Sequence, residues 1–250
     1  MTDDLVDRLT NWINQNWAAK TSAQPLPTPQ PQLPFPTPLP PPKVEPLPTP
    51  KTFTDRIITI MREQGYQVFV GEDVMNIVYI EGAEVKGGVP NKNRPNAFDD
   101  IRMLIRVQLD GSTKLLGMWD ATTLPGRYWT QNRMNARGAF QIRLGQQSCW
   151  TMGSYHNQPA LVQTYEIEGT RDNNEDYHRD GPTYKGLFGV HHHGGYDYPH
   201  DDLGKSSAGC QVGRAIAGHL EFMKILKTDK RYQDNHNFVF TSTVMPVEWI

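Results

Sequence analysis

Cys210 closes a run of four small residues, Ser206-Ser207-Ala208-Gly209, and lies 17 to 19 positions after three consecutive histidines, His191, His192 and His193. A thiol and an imidazole are the parts of an acyl-transfer site: the imidazole takes the thiol proton and the sulfur attacks a carbonyl carbon. A free cysteine is a weak nucleophile at neutral pH until a helix N-terminus or a nearby histidine lowers its pKa, and a helix is expected soon after Cys210. The small residues allow a tight turn that presents the thiol. The backbone amides of Gly209 and Cys210 are the expected oxyanion donors. Three other fates stay open for Cys210: half of a bridge to Cys149, a metal ligand, or a small buried side chain. Cys149 itself, within SCWTMGSY, reads as a buried strand residue.

These groups need elements to hold them. FTDRIITIMREQG predicts a helix with Ile57, Ile58, Ile60 and Met61 on its apolar side and Gly65 as its stop. Short β-rich runs follow: YQVFV, NIVYIEG, IRMLIRVQL, KLLGMWDAT, GAFQIRLG, SCWTMGSY, LVQTYEIEG and GLFGVHHH, punctuated by Gly, Asn, Asp and Pro. VGRAIAGHLEFMKILKT carries Ile216, Leu220, Met223 and Leu226 at helical spacing, and HNFVFTSTVMP reads as a last strand. Alternation along a strand places His191 and His193 on one face. Residues 51–250 therefore read as a mostly β domain with a few helices, an α+β arrangement.

The N-terminal 50 residues have a different character. Residues 1–20 read as an amphipathic docking helix with Leu5, Leu9, Trp12, Ile13 and Trp17 on one stripe, suited to a protein partner or to self-association. Residues 21–50 form a proline-rich linker, with 13 prolines between positions 25 and 50, an extended tether that neither continues a helix nor joins a sheet. The formal net charge is −2, and no Lys/Arg run offers a phosphate footprint, so no nucleic-acid partner is expected. No stretch approaches the length of a membrane span. The start lacks the basic and apolar regions of a signal peptide, so a chain made in the cytoplasm would be delivered by lysis or by an injection or virion assembly.

The cysteine region resembles the L,D-transpeptidase (YkuD-type) catalytic domain, in which a strand-closing histidine precedes Ser/Thr-His-Gly-Cys by roughly fourteen or more residues. GVHHHGG supplies the histidine and Ser207-Ala208-Gly209-Cys210 the rest, while ATTLPGRYWT (residues 121–130) is similar to the Thr-Pro-x-Gly-x-Phe/Tyr element ahead of that core. The resemblance covers about residues 115–215. It implies a β-sandwich or barrel in which Cys210 attacks a peptidoglycan stem-peptide carbonyl, His193 moves the proton, and Ser207 and Gly209 belong to the catalytic turn. His193 resembles the family histidine in being followed by Gly194, and His192 fits the usual spacing slightly better; His193 is taken because alternation along the strand puts it on one face with His191. Where the family has a histidine before Gly-Cys this chain has Ala208, with His200 and His219 as candidate substitutes. The carboxylate-binding arginine falls in a shifted position, on Arg214. His191, Arg214, Tyr128 and Trp129 are the expected substrate-binding residues, and no cofactor or metal is expected.

Two other functions compete. One is a zinc peptidase on the same substrate, with His191 and His193 as ligands beside Asp201, Asp202 or His200. The other is a peptidoglycan-binding or structural module without catalysis, which Ala208 favours. RDNNEDYHRDG (residues 171–181) carries Asp172, Asn174 and Asp176 at calcium-loop spacing, but Tyr177 and Thr183 stand where such a loop needs Gly and Glu, so a solvated acidic loop is expected.

Overall fold

Thr52 caps the first described helix, α1 (Phe53–Glu63), by accepting from the Asp55 amide while the Asp55 carboxylate accepts from the Thr52 amide, a reciprocal arrangement that satisfies two otherwise orphaned donors. The computed structural model describes residues 52–86 and 89–250, all within the second of the two units into which the chain divides, Leu47–Ile250. The expected docking helix and the proline-rich linker lie outside the described residues. Among the described residues, no helix is long and apolar enough to cross a membrane.

The fold is mainly β. Eight strands close a barrel in the order β1 (Asn76–Glu81), β11 (Phe240–Pro246), β5 (Gly145–Tyr155), β6 (Gln158–Gln163), β9 (His192–Gly194), β10 (Gln211–Gly213), β3 (Thr113–Thr122) and β2 (Asp100–Val107). A separate three-stranded sheet runs β4 (Ala139–Ile142), β7 (Ile167–Asp172), β8 (Tyr184–Gly186). Among the described residues four helices accompany them: α1, α2 (Arg127–Gln131), α3 (Ile216–Leu226) and α4 (Lys230–Asp234), with a final 3-10 turn at Val247–Trp249. Neighbours in the barrel are antiparallel except β1 with β11 and β9 with β10.

Alternation along β1 feeds two cores. Val78 and Ile80 join Ile57, Ile58 and Met61 of α1, together with Ile101, Met103 and Ile105 of β2. Ile77 and Tyr79 turn the other way, toward Leu104, Trp150 and Phe222, Met223 and Leu226 of α3. Each fully buried aliphatic or aromatic side chain contributes about 1.5–3 kcal/mol, so these two clusters supply most of what holds the barrel together.

Four expectations need correction. YQVFV is not a strand: the Asn76 side-chain amide takes both the N–H and the C=O of Phe69, leaving one isolated bridge from Val70 to Val107. LVQTYEIEG is split, because the Thr164 and Tyr165 amides both turn into the Cys149 carbonyl, so its halves enter β6 and β7 in different sheets. GLFGVHHH is not one strand either. Gly189 takes a φ of +71° and the Gln163 side-chain oxygen captures the Phe188 and Val190 amides, so pairing resumes only at His192. Finally, α3 is rotated from its predicted face. It buries His219, Phe222, Met223 and Leu226, while Ile216 and Leu220 are 38% and 40% exposed.

Candidate active site

The site is built on the two shortest strands of the barrel, three residues each. β9 and β10 run parallel with Gln211 opposite His192, Val212 opposite His193 and Gly213 opposite Gly194. Continuing that register by one residue puts Cys210 opposite His191, and the Gln211 amide donates to the His191 carbonyl at 3.0 Å. Alternation then places His191, His193, Cys210 and Val212 on one face, with His192 and Gln211 on the other. His193 is one diagonal step from Cys210.

The turn before Cys210 is held from both sides. Ser207 is fully buried; its hydroxyl lies 2.9 Å from the carbonyls of both Leu124 and Cys210, and its carbonyl accepts from the Gly126 amide at 2.8 Å. The Trp129 indole N–H donates to the Lys205 carbonyl. The two motifs singled out in the sequence, the segment at residues 121–130 and the Ser207–Cys210 turn, are thus bonded to each other directly. Gly209 has a φ of +123° and any Cβ there would collide with the Phe140 carbonyl, so only glycine fits.

One expectation about the oxyanion changes. The Gly209 amide already donates to Ser207 Oγ at 3.2 Å and is not free for substrate. Among the described residues the Cys210 amide has no acceptor, so of the two expected donors it alone is unspent.

The resting thiol is neutral. Burial pushes Cys210 up to about 11, against a smaller lowering by the His191 amide, which donates to Sγ at 3.4 Å, while the thiol donates to the Gly189 carbonyl at 3.5 Å. The expected lowering by a helix N-terminus does not occur, because β10 intervenes and α3 starts only at Ile216. No bridge forms either, since both cysteines are free. Cys149 is wholly buried and burial alone raises its thiol.

Hydrogen bonding separates the three histidines. The His193 Nδ1–H donates to the Gly194 carbonyl at 2.9 Å. A carbonyl can only accept, so the neutral ring keeps its lone pair on Nε2, as a proton acceptor requires. His191 has the opposite arrangement, with Nδ1 accepting from the Gln163 amide at 3.0 Å, so its Nε2 carries the proton. His192 faces inward, between Trp150 and Tyr79, with Nδ1 sharing a 3.2 Å hydrogen bond with the Tyr79 hydroxyl. Burial first, then neighbouring charges, hold His191 and His193 down at about 4. All three are neutral at pH 7.

The remaining expected residues are placed as follows. Arg214 pairs with Asp120, Nε to Oδ2 at 3.1 Å. Tyr128 is half-buried under the Lys205 ammonium, 4.5 Å from its ring centroid. Trp129 is 9% exposed and supports the Lys205 turn rather than lining a groove. His219 is buried against Gly194 and bonded to Arg102 and to the Pro159 carbonyl, so both its nitrogens are occupied. Among the described residues no three His, Cys, Asp or Glu groups are gathered as a metal ligand set. Asp172 spends its carboxylate on the Glu175 and Tyr177 amides within its own loop.

Compared with known proteins, the chain matches no family model, no curated protein and no solved structure.

Two features of the site carried no sequence signal. The β5–β6 hairpin turns on His156 and Asn157, both at positive φ (48° and 61°), the two-residue turn whose twist suits a hairpin. It lays the Tyr155 ring 4.7 Å from His193 and 5.0 Å from His191. Burial raises the Tyr155 phenol, with a further contribution from Cys210, so this hydroxyl stays protonated. The second feature anchors the segment behind the turn. Thr123 Oγ1 contacts both Glu81 and Asp100, at 2.6 and 2.8 Å, and Arg179 grips Glu81 with two nitrogens. Burial and the charges of Glu81 and Asp99 raise Asp100 well above the ordinary range. Burial alone would also raise Glu81, but Arg179 reverses that and holds it low.

Proposed function

We propose that the domain is an L,D-transpeptidase-like cysteine acyltransferase acting on peptidoglycan stem peptides, as a peptidase or as a transpeptidase. The observation that carries this reading is the tautomer of His193. Of the three histidines it alone combines a bare Nε2 with a place on the face of Cys210, one diagonal step along the ladder from a thiol that is protonated at rest. Such a pair works by general-base catalysis at the moment of attack rather than through a standing thiolate. The Cys210 proton passes to His193 Nε2 as Sγ bonds to the carbonyl carbon, and the Cys210 amide meets the oxyanion. When the C–N bond breaks, His193 returns the proton to the leaving amine and a thioester remains on Cys210. An incoming amine gives a new peptide bond; water gives a free carboxylate; either restores the thiol. The peptide class of the substrate rests on the resemblance of the two bonded motifs to the L,D-transpeptidase domain. Delivery to the cell wall by a lysis or injection assembly belongs to the same reading.

The test is the thioester itself. The full chain is incubated with a purified disaccharide-tetrapeptide and quenched in acid for intact-mass measurement. A mass gain on the peptide that contains Cys210, lost in Cys210→Ala, supports the reading. The absence of any adduct during turnover, or turnover by Cys210→Ala, would refute it. A binding module without chemistry is the second reading, favoured by Ala208; it predicts retention on sacculi with no adduct.

A further inference from the structure

Behind β9 and β10 lies a buried polar group that the proposed chemistry does not use. Arg102 is wholly buried on β2 and, among the described residues, forms no ion pair. Its Nη1–H donates to His219 Nδ1 at 3.1 Å, and arginine can only donate, so the His219 proton sits on Nε2, which donates to the Pro159 carbonyl at 2.7 Å. The guanidinium also rests on the Phe222 ring at 4.1 Å and near Trp119 at 5.5 Å, which offsets part of the cost of burying a charge.

This assembly touches the two glycines that close the site strands. A Cβ on Gly213 would run into the Arg102 guanidinium, and a Cβ on Gly194 would meet the His219 ring at 3.3–3.5 Å. The Gly194 carbonyl is the group that orients His193. A chain of neighbours therefore runs from Arg102 through His219 and Gly194 to the Nδ1–H of His193.

We infer that Arg102 is a positioning residue for His193, acting through His219 and the Gly194 carbonyl. Resting on the proposed role of His193, the inference is nevertheless testable without substrate. His193 also faces His191, His156, Tyr155 and Cys210, and only Arg102 brings a permanent positive charge to that set.

The experiment is nitrogen NMR of the histidine rings in the full chain, wild type against Arg102→Met, at pH 7 and through an acid titration. The wild type is expected to show His193 as the Nδ1–H form, with its midpoint near 4. In Arg102→Met, folded by circular dichroism, the His193 signals should average between the two tautomers and the midpoint should move upward. On substrate, kcat should fall about 10–100-fold with KM little changed, as expected when an orienting group is lost. If methionine at 102 costs the fold, His219→Phe breaks the same chain one link later at similar volume and should give the same tautomer mixing. An unchanged His193 tautomer and midpoint in either folded variant would overturn the inference. A shifted tautomer in a protein inactive even as wild type would leave it standing and refute the proposed function instead.

Discussion

His192 and His193 are chain neighbours on a three-residue strand, yet they face opposite worlds. His192 looks inward at Trp150 and Tyr79, where packing decides its fate. His193 looks toward Cys210 and Tyr155, with one nitrogen held by the Gly194 carbonyl and the other bare. Both rings are neutral because both are buried. Neutrality therefore does not distinguish the candidate base from the core residue; the direction of one hydrogen bond does. His191 makes the same point from the shared face, since accepting from the Gln163 amide puts its proton on the nitrogen a base would need free.

The comparison can be broken most severely at the sulfur. Cys210→Ala should lower turnover by about 10³-fold or more with the melting temperature nearly unchanged, while Cys149→Ser should keep turnover and lose stability, because it puts a hydroxyl into a fully buried site. A folded, inactive Cys149→Ser would contradict a single nucleophilic thiol.

Next come the histidines. His193→Ala should cost about 10²–10⁴-fold in kcat, whereas His192→Leu should leave kcat within severalfold and reveal itself in thermal unfolding. Equal kinetic losses at 191, 192 and 193 would erase the distinction drawn above. Gly209→Ala tests the turn: with φ at +123° and the Phe140 carbonyl in the way, it should destabilise by about 2–4 kcal/mol, read as a lowered melting temperature.

The effects of pH fall on stability and labelling rather than on turnover. The folded-state pKa values of His193 and His191 are depressed to about 4, below the 6.5 of a free imidazole, so the unfolded chain binds more protons between these values. Stability should accordingly be full above pH 6.5 and decline as pH falls toward 4, with His193 contributing about 3 kcal/mol of that loss. Conversely, iodoacetamide labelling of Cys210 should be slow at pH 7 and climb with pH toward 11. Fast labelling at pH 7 would mean a standing thiolate and a different resting state.

Much of this was legible in the residues alone. The helix at 53–63, the mainly β character and the association of Cys210 with a histidine follow from spacing and periodicity. The identity of the histidine rested on alternation, which separates 192 from 191 and 193 but cannot separate the last two. That difference depends on Gln163 and Gly194, and the Gln163 amide lies on another strand, far away in the chain. β10, three residues long, is too short to carry a period, and without it the helix after Cys210 was expected too close to the thiol. Tyr155 reaches the site only because a two-residue turn folds β5 back on β6. Arg102 lies within the β-rich run IRMLIRVQL, and nothing local announces that a buried arginine will meet a histidine 117 positions later.

The most direct measurement of the central claim is digestion of purified sacculi by wild type and Cys210→Ala, with mass spectrometry of the released fragments. The account predicts new peptide ends or new cross-links with the wild type alone, unaffected by a metal chelator. Identical fragments from both proteins, or activity abolished by the chelator, would contradict it.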